Sequence, residues 1–457
     1  MTERQIILKH ASTVLVGQLA VVAFGVADTL IAGRYDPQAL AVLSVSSAIY
    51  ITVYVALLGV LQALLPFFAE LHGAQKTTEI GNTFHQGLYI WMFLSILGVA
   101  VLMSPQFFLN WTDVPVALQQ QATTYLALLA LALPAALFFR LYSSLNQSIG
   151  RPQAVTWIQA VALLFKIPIS VALTFGLSGL PSLGLMGCAL GTVLVNYAMV
   201  GVALWSLKSG ARYTAMKIWR RLDPPDWSLI RQMAWMGLPN GLSVTVEVTS
   251  FTLMALFIAR LGVTASASHQ IASSMAALGY MVPLSFSIAV SARISYWRGA
   301  GQFKEMKHAM IIGFQWVMSL AGGLSALLWL FHEELASLYS KNSAVIHMAS
   351  ELLVLIGFYH LVDALQALCF FVLRSFRMTV APMLVYSIML WGMGLPGGYM
   401  LSYQGIGSWP AQQSPHAFWT MTILALVLVC AALLVLIRIS LKQQFIDARR
   451  QELTATG

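Results

Sequence analysis

Twelve runs of apolar residues, nearly free of charge, follow one another along this chain, at roughly 10–33, 40–67, 82–105, 118–146, 153–178, 184–207, 230–260, 266–292, 308–331, 345–374, 380–402 and 416–440. The hydrocarbon core of a bilayer takes about 20 apolar residues per helix. Inside lipid the backbone must satisfy its hydrogen bonds within its own segment. Runs of this length and number therefore dictate a bundle of membrane-crossing helices, and a composition of 59% hydrophobic and only 9% charged residues agrees. The opening "MTERQIILKH" leads into an apolar run too long for a signal-peptide core, with no small-residue cleavage site after it, so it reads as a retained first span.

The charges orient the bundle. With both termini in the cytoplasm, twenty of the 25 basic residues fall on the cytoplasmic side, and Arg34, Arg260 and Lys341 on the other. That bias follows the positive-inside rule. The expected location is the plasma membrane, the inner membrane of a bacterium, as a multi-pass protein. A net charge of +9 also raises a nucleic-acid partner, but the charge is spread through short connections rather than gathered on a soluble face, so none is expected. Cys188, Cys369 and Cys430 sit in apolar stretches and read as small packed residues rather than as disulfide or metal partners.

The longest connection, Leu207–Trp227, divides the chain after six spans. "IAGRYDPQALAVLSVSSA" from Ile31 lies over "IARLGVTASASHQIASSM" from Ile258 at an offset of 227, and "HGAQKTTE" ending at Glu79 lies over "RGAGQFKE" ending at Glu305 at 226. The near-constant offset predicts an N-terminal lobe over 1–207, a cytoplasmic linker over 208–229, and a C-terminal lobe with a basic tail over 230–457. The expected fold is all-α, twelve transmembrane helices in two six-helix lobes related by a pseudo-twofold axis along the membrane normal. Transporters place their substrates at the interface of such repeats.

Three acids are deep in spans: Asp28, Glu247 and Asp363. A charge at mid-bilayer costs at least about 2.5–3.5 kcal/mol, so each needs a reason. Bridging neighbouring helices is one, binding a proton or cation the other. Ser243, Glu247 and Ser250 recur at spacings of four and three, on one stripe able to hold a proton or a hard cation; hydroxyls that merely permit close helix packing are the alternative. Asp363 has His360 one turn before it and Gln366 one turn after. Lys166, beside Pro168 in span five, is too deep to snorkel easily, and the only deep anion in its half is Asp28. An Asp28–Lys166 pair is inferred, with an unpaired Lys166 reaching a water-filled cleft as the alternative. Protonating Asp28 would strip Lys166 of its counterion and turn proton binding into helix movement. Pro168, Gly25 and Gly33 are candidate points of helix bending. Arg140 is given no role.

With "VADTLIAGRYDPQALAV", "LPNGLSVTVEVTSFTLMALFIARLG" and "VDALQALCFFVLRSF" in spans one, seven and ten, the chain resembles the multidrug and toxic compound extrusion (MATE) family of antiporters, and in Glu247 with Asp363 its NorM-type branch. The resemblance implies cation coupling at Asp28, Glu247 and Asp363, and cargo that is bulky, often aromatic and cationic. It departs in span five, where relatives typically read "LNIPLNY" and this chain "FKIPISV", so that Lys166 and Ser170 replace two partners of the span-one aspartate. It departs again at Phe371, Ser375 and Met378, where relatives often have Gly, Gly and Asp. A fixed ammonium competes with sodium for Asp28.

The expected function is therefore not enzymatic: a multidrug efflux antiporter without a cofactor, exporting organic cations in exchange for protons, with Asp28 protonation driving release. Sodium coupling near Glu247 and Asp363 is the first alternative. A lipid or polyprenyl-lipid flippase is the second, disfavoured by three acids against one lysine. A channel or sensor would show flux insensitive to a counter-gradient. No "GxxxxGK[ST]" loop is present for an ATP-driven pump. Tyr142, Ser170, Thr192, Asn196, Ser243, Ser250 and Gln366 are candidate cavity-lining residues. Small-molecule substrates and membrane lipid are the expected partners, and a monomer the expected state.

Overall fold

The computed structural model describes residues 1–106, 116–176, 179, 181–405, 407 and 410–455. Residues 177 and 178, the expected end of span five, lie outside them, as do the side chains of Arg449 and Arg450 in the tail. The described chain is all helical, with twelve helices long and apolar enough to cross a membrane. They are Glu3–Tyr35, Gln38–Gly73, Thr77–Leu102, Leu118–Ser148, Pro152–Phe175, Leu185–Ser209, Trp227–Ala259, Val263–Gly299, Phe303–Leu330, Ser343–Ser375, Val380–Tyr403 and Pro415–Ile446. These are spans one to twelve. The three cysteines are buried and free.

Local chemistry explains where spans start and stop. Asp36 caps span two by accepting the Ala39 N–H at 3.3 Å, and Asn342 caps span ten by accepting the Ala344 N–H at 2.9 Å. Gly176, at φ 74°, closes span five in the left-handed conformation that glycine takes without strain. Prolines at 134, 168, 239 and 283 lie inside helices that continue through them. Span eleven carries one wide turn, Leu390–Gly394, where the Leu395 N–H reaches the Leu390 carbonyl.

The chain packs as two compact units, Thr13–Gly241 and Met1–Ser12 with Leu242–Gly457. In the first, the connection between spans six and seven is docked rather than loose. The buried ring of His85 lies 2.9 Å from Asp223 Oδ2 and 2.8 Å from the Ile218 carbonyl. Tyr89 donates to the Asp223 carbonyl at 2.8 Å, and Gln86 to that of Pro224 at 3.1 Å. Arg220 donates to Asp223 Oδ1 at 2.7 Å. Its hydrogen bond, helped by His85, holds the Asp223 carboxyl below the usual range.

In the second unit, the start of span one is clamped to span eight. Glu3 accepts both arms of Arg293, at 2.6 and 2.7 Å, and the Trp297 indole at 3.2 Å. This is a bidentate, charge-assisted pair.

Candidate functional site

Span five carries a one-sided polar stripe. Gln159, Ala162, Lys166, Ser170 and Thr174 are buried at helical spacing, while Trp157, Leu164 and Phe165 on the other side are exposed. Span six approaches this stripe through glycines. A Cβ on Gly187 would stand 2.5 Å from the Thr174 backbone nitrogen, and one on Gly191 would collide with Ser170 Oγ. Small residues at four-residue spacing let two membrane helices close to backbone distance. That closeness brings Thr192, one residue past Gly191, to Lys166.

There the Lys166 ammonium donates to Asp28 Oδ1 at 2.9 Å and to Thr192 Oγ1 at 2.6 Å, with the Phe24 ring centroid 5.9 Å away. The lysine side chain is 1% exposed and the aspartate 14%, so the pair is buried with its anionic end the less enclosed. The inferred Asp28–Lys166 pair is thus present, and Lys166 does not stand alone in a cleft. Asn196 supports it from one turn along span six, donating to the Thr192 carbonyl at 2.8 Å. Chemically, this is a carboxylate whose counter-charge is built into the chain.

The other residues singled out in this half all lie within spans. Tyr142 is fully buried in the core and its hydroxyl donates to Ser206 at 3.2 Å. Ser170 is likewise fully buried, pressed against Gly191 rather than facing open space. Gly25 has open space beside it, and a Cβ on Gly33 would meet the Leu40 side chain at 3.6 Å; both lie within one continuous helix, as does Pro168 within its own.

The second unit holds a cavity of about 590 Å³ bordered by Glu247, Asp363, Tyr280, Tyr359, His269 and Phe251, among others. Its size suits a drug-sized ligand. Asp363 accepts from the Tyr359 hydroxyl at 3.3 Å. Behind them stands an aromatic wall: Tyr359 meets Phe251 at 6.1 Å and Trp419 at 5.3 Å between centroids, and Trp419 meets His269 at 5.7 Å. Two carboxylates against aromatic faces make a surface that attracts organic cations.

Of the lining residues expected here, Ser243 and Gln366 are buried and do not border the cavity. Ser250 faces a small separate pocket with Met254, Phe418 and Thr422, because a three-residue step turns it about 60° away from Glu247. His360 packs against Gly279, and it is Tyr359, a four-residue step from Asp363, that makes the bond. Tyr280, Tyr359 and His269 were missed. Tyr359 was available from its spacing to Asp363; Tyr280 and His269, on span eight, become neighbours only through tertiary packing.

Comparison with known proteins matches these features to one group. The MatE family model matches residues 14–172 and 239–400, which include Asp28, Lys166, Glu247 and Asp363. The chain is 34% identical over 436 residues to the probable multidrug resistance protein NorM of Aromatoleum aromaticum, covering 95% of this chain and 94% of that protein. It is 30% identical to the multidrug resistance protein MdtK of Yersinia pseudotuberculosis, covering 96% and 95%. In fold it resembles the Vibrio cholerae MATE transporter VcmN in its bent form, with a TM-score of 0.85 at 15% identity over 97% of this chain and 98% of that one. With both motif-bearing halves matched and relatives alike end to end, the chain belongs to the MatE family of membrane transporters.

Proposed function

We propose that this protein is a multidrug efflux antiporter that exports organic cations in exchange for protons, with Asp28 as the coupling group. The observation that carries the reading is the buried Lys166–Asp28 pair at 2.9 Å. A proton arriving at Asp28 neutralises the carboxylate and leaves the ammonium in a low-dielectric site with the Thr192 hydroxyl and the Phe24 ring but without its counterion, a state that favours rearrangement of spans one, five and six. The tethered ammonium occupies the place a sodium ion would take. The orientation proposed from the basic residues puts both termini in the cytoplasm of a bacterial cell and Asp28 in the outer half of span one, where external protons reach it. The names of the relatives, multidrug resistance proteins, support the cargo class. So does the aromatic, acidic cavity around Glu247 and Asp363.

That same cavity favours a second reading, sodium coupling, because two carboxylates and tyrosine oxygens converge on it without a built-in cation. The deciding experiment is efflux of a fluorescent organic cation from proteoliposomes, first under a pH gradient without sodium, then under a sodium gradient at equal pH. Export driven by pH alone and lost in Asp28→Asn supports proton coupling through the first half. Export in Asp28→Asn at the wild-type rate overturns it, and export that requires sodium transfers the coupling to Glu247 and Asp363.

A further inference from the structure

A groove of about 460 Å³ lies between the start of span nine and the end of span twelve, and neither Glu247 nor Asp363 borders it. Three cations border it, Lys307 from span nine and Arg438 and Lys442 from span twelve, and no acid does. Its floor is apolar, with Leu434, Leu441 and Phe445 among its residues. Spacings of three and four residues set Leu434, Arg438, Leu441, Lys442 and Phe445 on one face of span twelve. Phe445 is held against Phe303 of span nine, with ring centroids 6.3 Å apart. None of the three cations is in an ion pair among the described residues, and Glu305, two positions from Lys307, does not border the groove.

The groove continues an exposed apolar surface. Toward mid-membrane, span twelve exposes Leu424, Val427, Leu428 and Val435, side chains that only acyl tails would cover. The orientation proposed above puts the basic end of span twelve at the cytoplasmic face. A cluster of cations over an apolar wall, where the helix meets the headgroup layer, is complementary to a phosphate carrying an acyl chain.

We propose that this groove, walled by Lys307, Arg438 and Lys442 over Leu434, Leu441 and Phe445, binds the headgroup and upper acyl segment of an anionic phospholipid of the cytoplasmic leaflet. Three charges converge on the phosphate, and the leucines and Phe445 seat the chain below it. Nothing in this arrangement depends on which ion couples transport.

The test titrates short-chain phosphatidylglycerol, phosphatidylcholine and inorganic phosphate separately into the full-length protein in neutral detergent, counting bound molecules by native mass spectrometry. Phosphatidylglycerol is expected to saturate a site at least about tenfold more tightly than phosphatidylcholine. Each of Lys307→Gln, Arg438→Gln and Lys442→Gln should weaken it about fivefold, and the triple variant about a hundredfold. Thermal unfolding without lipid checks the fold of the triple variant; if it unfolds, the single variants carry the test. Equal binding of the two lipids, unchanged phosphatidylglycerol binding in the charge variants, or displacement of the lipid by equimolar inorganic phosphate each overturns the proposal.

Discussion

Replacing Asp28 by leucine should expose what holds Lys166 in place. The substitution leaves an ammonium on a side chain 1% exposed with Thr192 Oγ1 at 2.6 Å and the Phe24 face at 5.9 Å, and no counterion. Breaking a buried pair from one side costs about 3–5 kcal/mol. Asp28 is 14% exposed, so its end of the pair is not fully enclosed by protein, which puts the expected loss near the lower bound, about 3 kcal/mol. Lys166→Met is expected to cost less, about 1–2 kcal/mol, because the stranded carboxylate is the less enclosed partner and keeps the Thr192 hydroxyl. In the double variant neither charge is buried, and its stability should return to within about 1 kcal/mol of the parent. The cycle therefore predicts a coupling of about 4–5 kcal/mol between the two positions. Reversible unfolding in mixed micelles with rising SDS, followed by circular dichroism, measures it. A double variant no more stable than Asp28→Leu would refute the reasoning, since Lys166 would then be indifferent to its partner.

Two further predictions concern the unit Thr13–Gly241. A methyl at Gly81 would run into the Met216 carbonyl oxygen, backbone that cannot swing away, so Gly81→Ala should cost about 1–3 kcal/mol. Gly201→Ala, with open space around it, should be neutral or stabilise by up to about 1 kcal/mol; thermal unfolding of both variants checks the contrast, and equal losses would refute it. Asp223 has a depressed pKa, caused first by the Arg220 hydrogen bond and then by His85. Its contribution to docking is therefore complete above the ordinary aspartate range, near pH ~4, and is lost as pH falls through the depressed value. Hydrogen exchange across residues 210–226 should accelerate below that range. At neutral pH Asp223→Asn should speed tryptic cleavage at Lys217, Arg220 and Arg221, and unchanged cleavage would count against the clamp.

The Asp28–Lys166 pair was legible in the sequence because apolar spans leave so few charges to match: one deep cation and one deep anion in the same half have little choice of partner. Its third member was less so. Thr192 reaches the ammonium because Gly187 and Gly191 let spans five and six close up, and that approach depends on two helices at once. Tyr142 was chosen for its chemistry; which way it points is set by packing, and the packing buries it against span six. In spans apolar on nearly every side, periodicity does not mark an inward face, so lining residues are read poorly from spacing. The Glu247–Asp363 cavity shows the same limit, since Tyr280 and His269 arrive from a helix with no acid of its own. Helix number and the deep charges depend only on length and chemical type along one segment, which is why they survived the step to three dimensions.

The pair of Lys166 and Asp28 has an electrical consequence. At 2.9 Å the two charges cancel, so the site as built carries no net charge and the membrane potential exerts no net force on it. One added proton makes it +1. From then on the site feels the field, at about 2.3 kcal/mol per elementary charge for each 100 mV crossed. With Asp28 in the proposed coupling role, such a site would be electrically silent when empty and charged when loaded, and voltage would act on only one of its two states.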